Sequence, residues 1–291
     1  METKWKYGFV FLLLVALVVW LSVYAYPKEN LKLVACDVGQ GDAILAIYGK
    51  TQFLIDGGPN DDVLSCLSKY MPFWDRNIEL VVLTHPDSDH LKGLIEVFER
   101  YEVNLFLTNS LDPGSQEFKV LEKVVGGTNT HVIPPKEGMV IGNSKMHLEV
   151  VYPTEAIQEQ YLTKKEEDNS SKVLGTTTSS RKTNDFSIVS NLESGNFKAL
   201  LTGDITPGVM DEVLATGKIG KVDYIKIPHH GSKNGLTEEL LDKTMPKVAI
   251  ISVGKNSWGH PNKEILEMLE KYNIEVLRTD EMGDVVINTP K

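Results

Sequence analysis

Five of the seven histidines in this 291-residue chain fall in three short motifs, and the first motif places four potential metal ligands within six residues. This motif, HPDSDH, runs from His85 to His90 and contains the carboxylates Asp87 and Asp89. Metal ions such as zinc bind imidazole nitrogen and carboxylate oxygen together. The motif therefore favours a metal site. The alternative is a polar turn in which Asp89 caps a helix that begins near Leu91.

The other two histidine motifs offer further ligands or proton donors. His229 and His230 are adjacent in HHGS, so one imidazole can bind a metal while the other donates a proton. His260 lies between Gly259 and Pro261, where a structural role is as compatible with the sequence as a role in a site. The residues alone leave open which of the two adjacent histidines is the ligand.

A further candidate ligand is a single carboxylate at the end of an apolar run. Asp204 closes LLTGD, and a carboxylate with two oxygens can bridge two cations, as two-metal hydrolases require. The alternative is an ordinary turn, or the cap of a helix after Pro207. Asp204 is a ligand candidate because the histidine motifs of the same chain need such a partner.

Short strands alternating with helices must position these residues. Each histidine motif follows an apolar run, VVLT, YIKIP or AIISVG, and α/β folds build their sites on loops at strand ends. The spacing of apolar residues predicts helices at 91–101, 206–216, 237–245 and 262–272. The pattern predicts one α/β domain over residues 31–291, with helices on the outside. Residues 154–183 lack aliphatic periodicity and are predicted to form a mobile loop.

The first 26 residues differ in composition from the rest of the chain. Residues 7–26 carry no charge and, at ~1.5 Å per residue, would cross the ~30 Å hydrocarbon layer as a helix. Because Lys4 and Lys6 precede this stretch, it predicts a transmembrane anchor with residues 1–6 in the cytoplasm and the domain outside. The alternative is a secretory signal peptide cleaved near Ala25. Both interpretations predict export of the domain.

Charge and cysteine content exclude several classes of protein. The net charge of −10, from 30 basic and 40 acidic residues, argues against binding nucleic acid through bulk positive potential. The segment 216–263 is nevertheless basic, with eight lysines, Lys233 among them, against four acidic residues. This segment indicates either a rim that binds phosphates or a solvated surface. Cys36 and Cys66 are too few for a disulfide scaffold and are predicted to be buried apolar residues.

Seven motifs occur in the order DVGQGDA, LIDGG, THPDSDH, NDFS, LTGD, IPHHGS and GHP. This set, from about Leu31 to the C-terminus, resembles the metallo-β-lactamase-fold domain of the ComEC family, the DNA-uptake channels of competence. The resemblance implies an αββα sandwich with a dinuclear metal centre at one edge. The channel has many membrane spans before this domain, whereas this sequence predicts one, so the resemblance does not imply the pore function.

The resemblance also assigns ligands for two divalent ions, zinc or manganese: His85 and Asp87 for the first ion, Asp89, His90 and His229 for the second, and Asp204 as the bridge. Asn184 or Asp185 stands where the wider superfamily has a third histidine. Asp56 is expected to orient a ligand histidine. Ser232 and Lys233, which follow the paired histidines, are expected to support the ligands or contact the substrate.

The function that the resemblance implies is metal-dependent hydrolysis, with DNA phosphodiesters outside the cytoplasmic membrane as the leading substrate. Asp89 is expected to orient the attacking water. His230 or His260 is expected to contact a phosphate oxygen or to protonate the leaving group. The alternatives are hydrolysis of a small phosphodiester, a phosphocholine ester or a lactone, and a metal-binding module without catalysis. No stable protein partner is inferred.

Overall fold

The computed structural model describes residues 2–24, 29–109, 111–164 and 174–289. The helices are α1 (Glu2–Tyr24), α2 (Asp62–Tyr70), α3 (Ser88–Arg100), α4 (Gln116–Gly126), α5 (Glu155–Tyr161), α6 (Met210–Ala215), α7 (Glu238–Thr244), α8 (Lys263–Lys271) and α9 (Thr279–Met282). Short 3₁₀ helices lie at Thr183–Phe186, Pro207–Val209 and Pro228–Gly231.

The strands are β1 (Leu31–Ala35), β2 (Ile44–Tyr48), β3 (Thr51–Ile55), β4 (Asn77–Val82), β5 (Glu102–Leu107), β6 (His131–Ile133), β7 (Val140–Gly142), β8 (His147–Tyr152), β9 (Leu162–Lys164), β10 (Thr177–Ser179), β11 (Val189–Ser194), β12 (Phe197–Leu201), β13 (Tyr224–Lys226), β14 (Val248–Ile251), β15 (Glu275–Arg278) and β16 (Val285–Asn288).

In the described ranges these strands form two seven-stranded sheets and one small ladder. The first sheet has the order β16-β1-β2-β3-β4-β5-β6, the second has the order β15-β14-β13-β12-β11-β8-β7, and β9 pairs with β10. Strands β3 to β6 are parallel in the first sheet, as are β12 to β15 in the second. The carboxyl ends of these parallel strands therefore lie at one edge of each sheet, where α/β folds place their ligands.

Buried apolar side chains form three layers between and outside the two sheets. One cluster lies between the sheets and includes Phe53, Leu148 and Tyr224. Helices α2, α3 and α4 cover the first sheet, and α6, α7 and α8 cover the second, each through its own buried cluster. The predicted αββα sandwich is thus confirmed.

Helix α3 shows how the sequence forms the element next to the first histidine motif. Its buried residues Leu91, Leu94, Val97 and Phe98 recur at three- and four-residue spacing and face the first sheet. The helix begins at Ser88 rather than near Leu91. Asp87 therefore occupies the N-cap position and Asp89 lies in the first turn, so the alternative in which Asp89 caps the helix is wrong.

The segment 154–183 has more structure than the sequence predicts. It contains α5 and the β9–β10 ladder. The Arg181 guanidinium lies 3.6 Å from the centre of the Tyr161 ring and donates two hydrogen bonds of 3.0 Å to Glu212. Polar and cation–π contacts hold this part of the chain, and such contacts leave no aliphatic periodicity in the sequence. Residues 165–173 lie outside the described ranges.

Cys36 and Cys66 form a disulfide, which the sequence analysis did not expect. Both residues are buried, as predicted, but their Cα atoms are only 5.8 Å apart. The bond joins the end of β1 to α2. Two cysteines 30 positions apart indicate no pairing by themselves, because only the packing of α2 on the first sheet brings them together.

The N-terminal segment is helical, since α1 covers most of it. No helix within the described part of the chain is long and apolar enough to cross a membrane. The transmembrane span predicted for residues 7–26 is therefore not supported by the structure. The first turns of α1 include the charged residues Glu2, Lys4 and Lys6, and residues 25 and 26 lie outside the described ranges.

Candidate metal centre

The first histidine motif places two imidazoles side by side at the carboxyl end of β4. His85 lies in the loop between β4 and α3, His90 lies in the first turn of α3, and their ring centres are 4.2 Å apart. Both side chains are fully buried. Asp87 has extended backbone and makes no side-chain cap for α3, so its carboxylate faces His85 instead, with Oδ2 3.6 Å from Nε2.

Asp204 lies at the carboxyl end of β12 and faces the histidines of both sheets. Its Oδ2 is 3.4 Å from Nε2 of His90 and 3.2 Å from Nε2 of His230. The backbone N–H of Asp204 donates to Oγ of Ser187, which is fully buried. The NDFS motif therefore contributes to the site through Ser187, a role that sequence reasoning missed although it recognised the motif.

The paired histidines lie in a strained turn after β13. His229 and His230 both have left-handed backbone, with φ of 52° and 54°, which is uncommon for residues other than glycine. This turn directs the two imidazoles to different places. His230 is buried and faces Asp204 and Asp89, whose Oδ2 lies 3.4 Å from its Nε2. His229 is half-buried and lies on the outer side, with its ring centre 5.8 Å from that of His260.

Three imidazole Nε2 atoms, those of His85, His90 and His230, are buried without a hydrogen-bond partner among the described residues. Buried polar atoms are rarely left without a partner, so these atoms indicate a ligand. They converge with Asp204 and Asp89, and groups of these residues have ligand atoms within 4.8 Å of one another. Imidazole nitrogen with carboxylate oxygen fits a divalent cation of the zinc or manganese type.

The opposite ring nitrogen of each imidazole has a fixed partner. Nδ1 of His90 lies 2.8 Å from Asp56 Oδ2, and Nδ1 of His230 lies 2.9 Å from the Ser252 carbonyl. Because a carbonyl can only accept, His230 donates from Nδ1, so Nε2 is the nitrogen that can bind a metal. Asp56 also accepts two hydrogen bonds from Thr84, at 2.8 and 2.7 Å, which hold it in place. Such partners orient ligand histidines and strengthen metal binding.

Carboxylates change the protonation of the site. Burial lowers the pKa of His90 and His230, but the surrounding carboxylates, Asp204 first among them, together outweigh burial and raise both pKa values well above the usual range. Burial raises the pKa of Asp204, and the neighbouring cationic groups, His230 first among them, lower it well below its usual range. A metal that binds these imidazoles must therefore displace protons, so metal affinity falls as the pH falls.

Two charged residues at the centre were not predicted from the sequence. Lys226 is buried, and its Nζ donates to the Gly203 carbonyl at 2.8 Å and to Asp204 Oδ1 at 3.1 Å. It also pairs with Asp42, which lies in the loop after β1. Burial raises the pKa of Asp42, but Lys226 and His230 beside it lower that pKa to about 2. A lysine inside the apolar run YIKIP was the available signal, since a buried lysine needs paired carboxylates.

Other residues proposed from the sequence lie outside the cluster. Asp185 accepts a hydrogen bond of 2.6 Å from Thr206 instead of facing the imidazoles. Asn184 lies beside Thr183, whose hydroxyl donates to Asp87 Oδ1 at 2.7 Å. The segment therefore supports Asp87 through Thr183.

The residues that follow the paired histidines also stay outside the cluster. The Ser232 hydroxyl accepts from the backbone N–H of Asn234 and stabilises the turn. Lys233 is exposed on the loop that follows the paired histidines.

Comparison with known proteins agrees with this architecture. Residues 36–180 match the Metallo-beta-lactamase superfamily. Together with the two-sheet sandwich, this match defines the class: the chain contains a metallo-β-lactamase fold domain, which carries a buried cluster of histidines and carboxylates.

Within that class the predicted resemblance to ComEC-like proteins is confirmed. The chain is 28% identical over 288 residues to ComE operon protein 3 of Bacillus subtilis (strain 168), covering 91% of this chain and 34% of that protein. It is 26% identical over 266 residues to Recombination protein 2 of Haemophilus influenzae, covering 90% of this chain and 29% of that protein. The chain thus spans about a third of the length of these relatives.

A solved structure shows the same fold at low identity. The metallo-β-lactamase fold protein YhfI from Bacillus subtilis superposes with a TM-score of 0.55 and 12% identity. The superposition covers 89% of this chain and 100% of YhfI. At this identity the similarity concerns the fold alone.

Proposed function

We propose that this domain hydrolyses phosphodiester bonds of DNA with two divalent cations held at the metal centre. The observation that supports the proposal is the convergence of three buried, unpartnered Nε2 atoms on Asp204 from loops of both sheets. The motif order shared with ComEC-like proteins supports DNA as the substrate. So does the name of one relative, Recombination protein 2.

The geometry favours a ligand set that differs from the sequence-based set in one residue. In this proposal His85, Asp87 and Asp204 bind one cation, and His90, Asp89 and His230 bind the other, with Asp204 shared. His230 takes the place that the sequence analysis gave to His229. Cations bound there would activate a water molecule and neutralise charge on the phosphate.

The chain's own residues have separate tasks in this reaction. The Asp89 side chain is 33% exposed and lies at the mouth of the centre, where it can orient the attacking water and accept its proton. His229 and His260 lie on the outer side, where their imidazoles can donate to a phosphate oxygen or to the leaving oxygen. His230 is buried and held by Ser252, so a role as proton donor to substrate does not suit it.

The basic segment 216–263 contributes fewer phosphate contacts than its charge suggests. Lys226 is buried, and three other lysines form ion pairs with acidic residues: Lys218, Lys247 and Lys263. Lys233 and Lys255 are exposed on the two loops that carry the outer histidines, and neither forms an ion pair with a described residue. These two lysines are the candidates for binding phosphates on either side of the scissile bond.

The proposal is tested with purified full-length chain, manganese or zinc, and single-stranded or duplex DNA. We expect cleavage by the wild type and a loss of at least about 100-fold in Asp204→Ala and Asp87→Ala, since each removes a proposed ligand. Asp211→Ala, an exposed carboxylate on α6, serves as the control and should keep wild-type activity. Absence of cleavage of any nucleic acid with either metal would overturn the proposal.

Export belongs to the same proposal. The Cys36–Cys66 disulfide supports an oxidising compartment, because disulfides persist in exported proteins and are rare in the cytosol. Membrane attachment rests on the composition of residues 7–26 alone. An alkaline phosphatase fused after Lys291 should be active in intact cells, and fractionation of the same cells shows whether the chain sediments with membranes. An inactive fusion at normal expression would count against export.

A further inference from the structure

Trp258 presents an exposed aromatic surface beside the metal centre. The side chain is 69% exposed, and its ring centre lies 6.3 Å from that of His260. The His260 ring in turn lies 5.8 Å from the ring of His229, which adjoins the buried His230. A series of neighbouring rings, His260 and then His229, therefore connects the indole to His230, a proposed metal ligand. An exposed tryptophan at such a place suits recognition of a planar group.

The backbone below Trp258 is held rigidly. The Asn256 side chain donates to the carbonyls of Gly254 and His260, at 2.9 and 2.8 Å, and accepts from the backbone N–H groups of Trp258 and His260, at 3.1 and 3.0 Å. Gly254 packs so closely on Gly39 that a Cβ there would lie 2.4 Å from the Gly39 carbonyl carbon. The loop thus holds the indole at a set place relative to the centre, as an aromatic platform requires.

The charges near Trp258 indicate which planar group it binds. Lys255 lies three positions earlier on the same loop, and Lys233 lies on the loop of the paired histidines. The two loops are joined by a hydrogen bond of 2.8 Å from the Asn262 N–H to the Gly231 carbonyl. The two lysines on these joined loops disfavour a purely cationic group such as the trimethylammonium group of choline. They attract a polyanion that carries planar bases.

We propose that Trp258 stacks on a nucleobase next to the scissile phosphate and thereby makes single-stranded DNA the preferred substrate. This inference rests on the proposed function. An unpaired base exposes its face to an aromatic side chain, whereas a base in a duplex is covered by its neighbours. Stacking is tolerant of sequence, so the preference concerns strandedness and not a particular base.

The test compares steady-state cleavage of a single-stranded oligonucleotide with cleavage of an abasic oligonucleotide of the same length. For full-length Trp258→Ala we expect KM on the base-containing strand to rise roughly 5- to 150-fold, the range for loss of one base–aromatic stack. KM on the abasic strand should match that of the wild type. Trp258→Phe, which keeps an aromatic ring, should stay within a few-fold of the wild type on both strands.

Trp74→Ala is the matched control, because Trp74 is also exposed but lies in the loop before β4, at the opposite end of that strand from the histidines. It should leave both KM values unchanged. Equal effects of Trp258→Ala on the two strands, or no effect on the base-containing strand, would overturn the inference.

A binding measurement separates this inference from the proposed function. Single-stranded DNA added to the metal-free wild type should quench tryptophan fluorescence, and the quenching should be largely lost in Trp258→Phe. Quenching without cleavage on adding metal would overturn the nuclease proposal and support the stacking role. Cleavage with equal quenching in wild type and Trp258→Phe would overturn the stacking role and leave the nuclease proposal standing.

Discussion

Two adjacent histidines in this protein lie in different surroundings because of two backbone angles. The left-handed φ values of His229 and His230 direct one imidazole outwards and the other into the buried cluster. His230 then meets Asp204 and Asp89, while His229 stays beside His260. In the proposed function, consecutive positions thus supply a metal ligand and a group that faces the substrate.

This difference predicts opposite behaviour of the two alanine variants. His230→Ala should reduce bound metal from about two ions to about one per chain and lower DNA cleavage by more than about 100-fold, because it removes a proposed ligand. His229→Ala should keep the full metal content and lower turnover by about 100-fold or more, the contribution of a proton donor. Metal analysis of both purified proteins, together with their kcat values, checks the assignment. If His229→Ala loses metal and His230→Ala does not, His229 is the ligand instead of His230.

Among the elements, α3 and the loop after β3 approach each other unusually closely. Gly93 in α3 donates its N–H to the Gly58 carbonyl at 3.0 Å, and a Cβ on Gly93 would lie 1.9 Å from the Gly57 carbonyl oxygen. This contact holds Asp56 against His90. The site therefore requires glycine at position 93, because a side chain there would push α3 away from the loop.

Gly93→Ala should lower the free energy of unfolding by about 3 kcal/mol or more, because α3 must move away from the loop. Its matched control is Gly126→Ala at the end of α4, where a Cβ would meet nothing within 4 Å. That change should be neutral or stabilising by up to about 1 kcal/mol, as alanine is the better helix former. Thermal unfolding of both variants measures the difference. Equal melting temperatures would contradict the close packing of α3.

On the scale of the whole molecule, contacts distant in sequence close the domain around the site. Asp284, just before β16, accepts hydrogen bonds from the Asp37 N–H at 2.9 Å, Lys69 Nζ at 2.7 Å and Tyr70 Oη at 3.1 Å. The carboxylate therefore joins the last strand to α2 and to the loop that carries Asp42.

The contacts of Asp284 predict how the free energy of unfolding depends on pH. Burial raises its pKa, but the hydrogen bonds from Lys69, the Asp37 N–H and Tyr70 outweigh burial and lower the pKa below the ordinary value of 3.8. Its contribution is therefore complete above about pH 4 and is lost as the pH falls through the lower, folded-state pKa. Asp284→Asn should cost about 1–2 kcal/mol at pH 7, and the difference from the wild type should shrink in acid. A difference independent of pH, measured by denaturant unfolding, would argue against this role.

The disulfide is a second contact between distant segments that closes the domain. A bond that closes a loop of 30 residues stabilises a fold by roughly 3–4 kcal/mol in the chain-entropy estimate. We expect a reducing agent to lower the melting temperature of the wild type, and to leave that of a Cys36→Ala/Cys66→Ala double variant unchanged. If the wild-type melting temperature stays constant after reduction has made both thiols titratable, the bond contributes little to stability.

Local patterns in the sequence were sufficient to predict most of the elements that carry the site. The strands before the three histidine motifs were found, and the helices predicted at 237–245 and 262–272 match α7 and α8 within a residue at each end. Helix α4 was not predicted, although Phe118, Leu121 and Val125 are buried at helical spacing. The periodicity of these three apolar residues was the available signal.

By itself, the sequence determined the chemistry available to this protein: histidines and carboxylates in tight motifs at strand ends, in an order that resembles ComEC-like domains. Only the tertiary structure decided which atoms meet. The contact of His230 rather than His229 with Asp204, the burial of Lys226 against Asp42 and Asp204, and the pairing of Cys36 with Cys66 all depend on it. The physical reason is that ligand type follows from residue identity, whereas convergence depends on backbone angles and on packing between segments far apart in the chain.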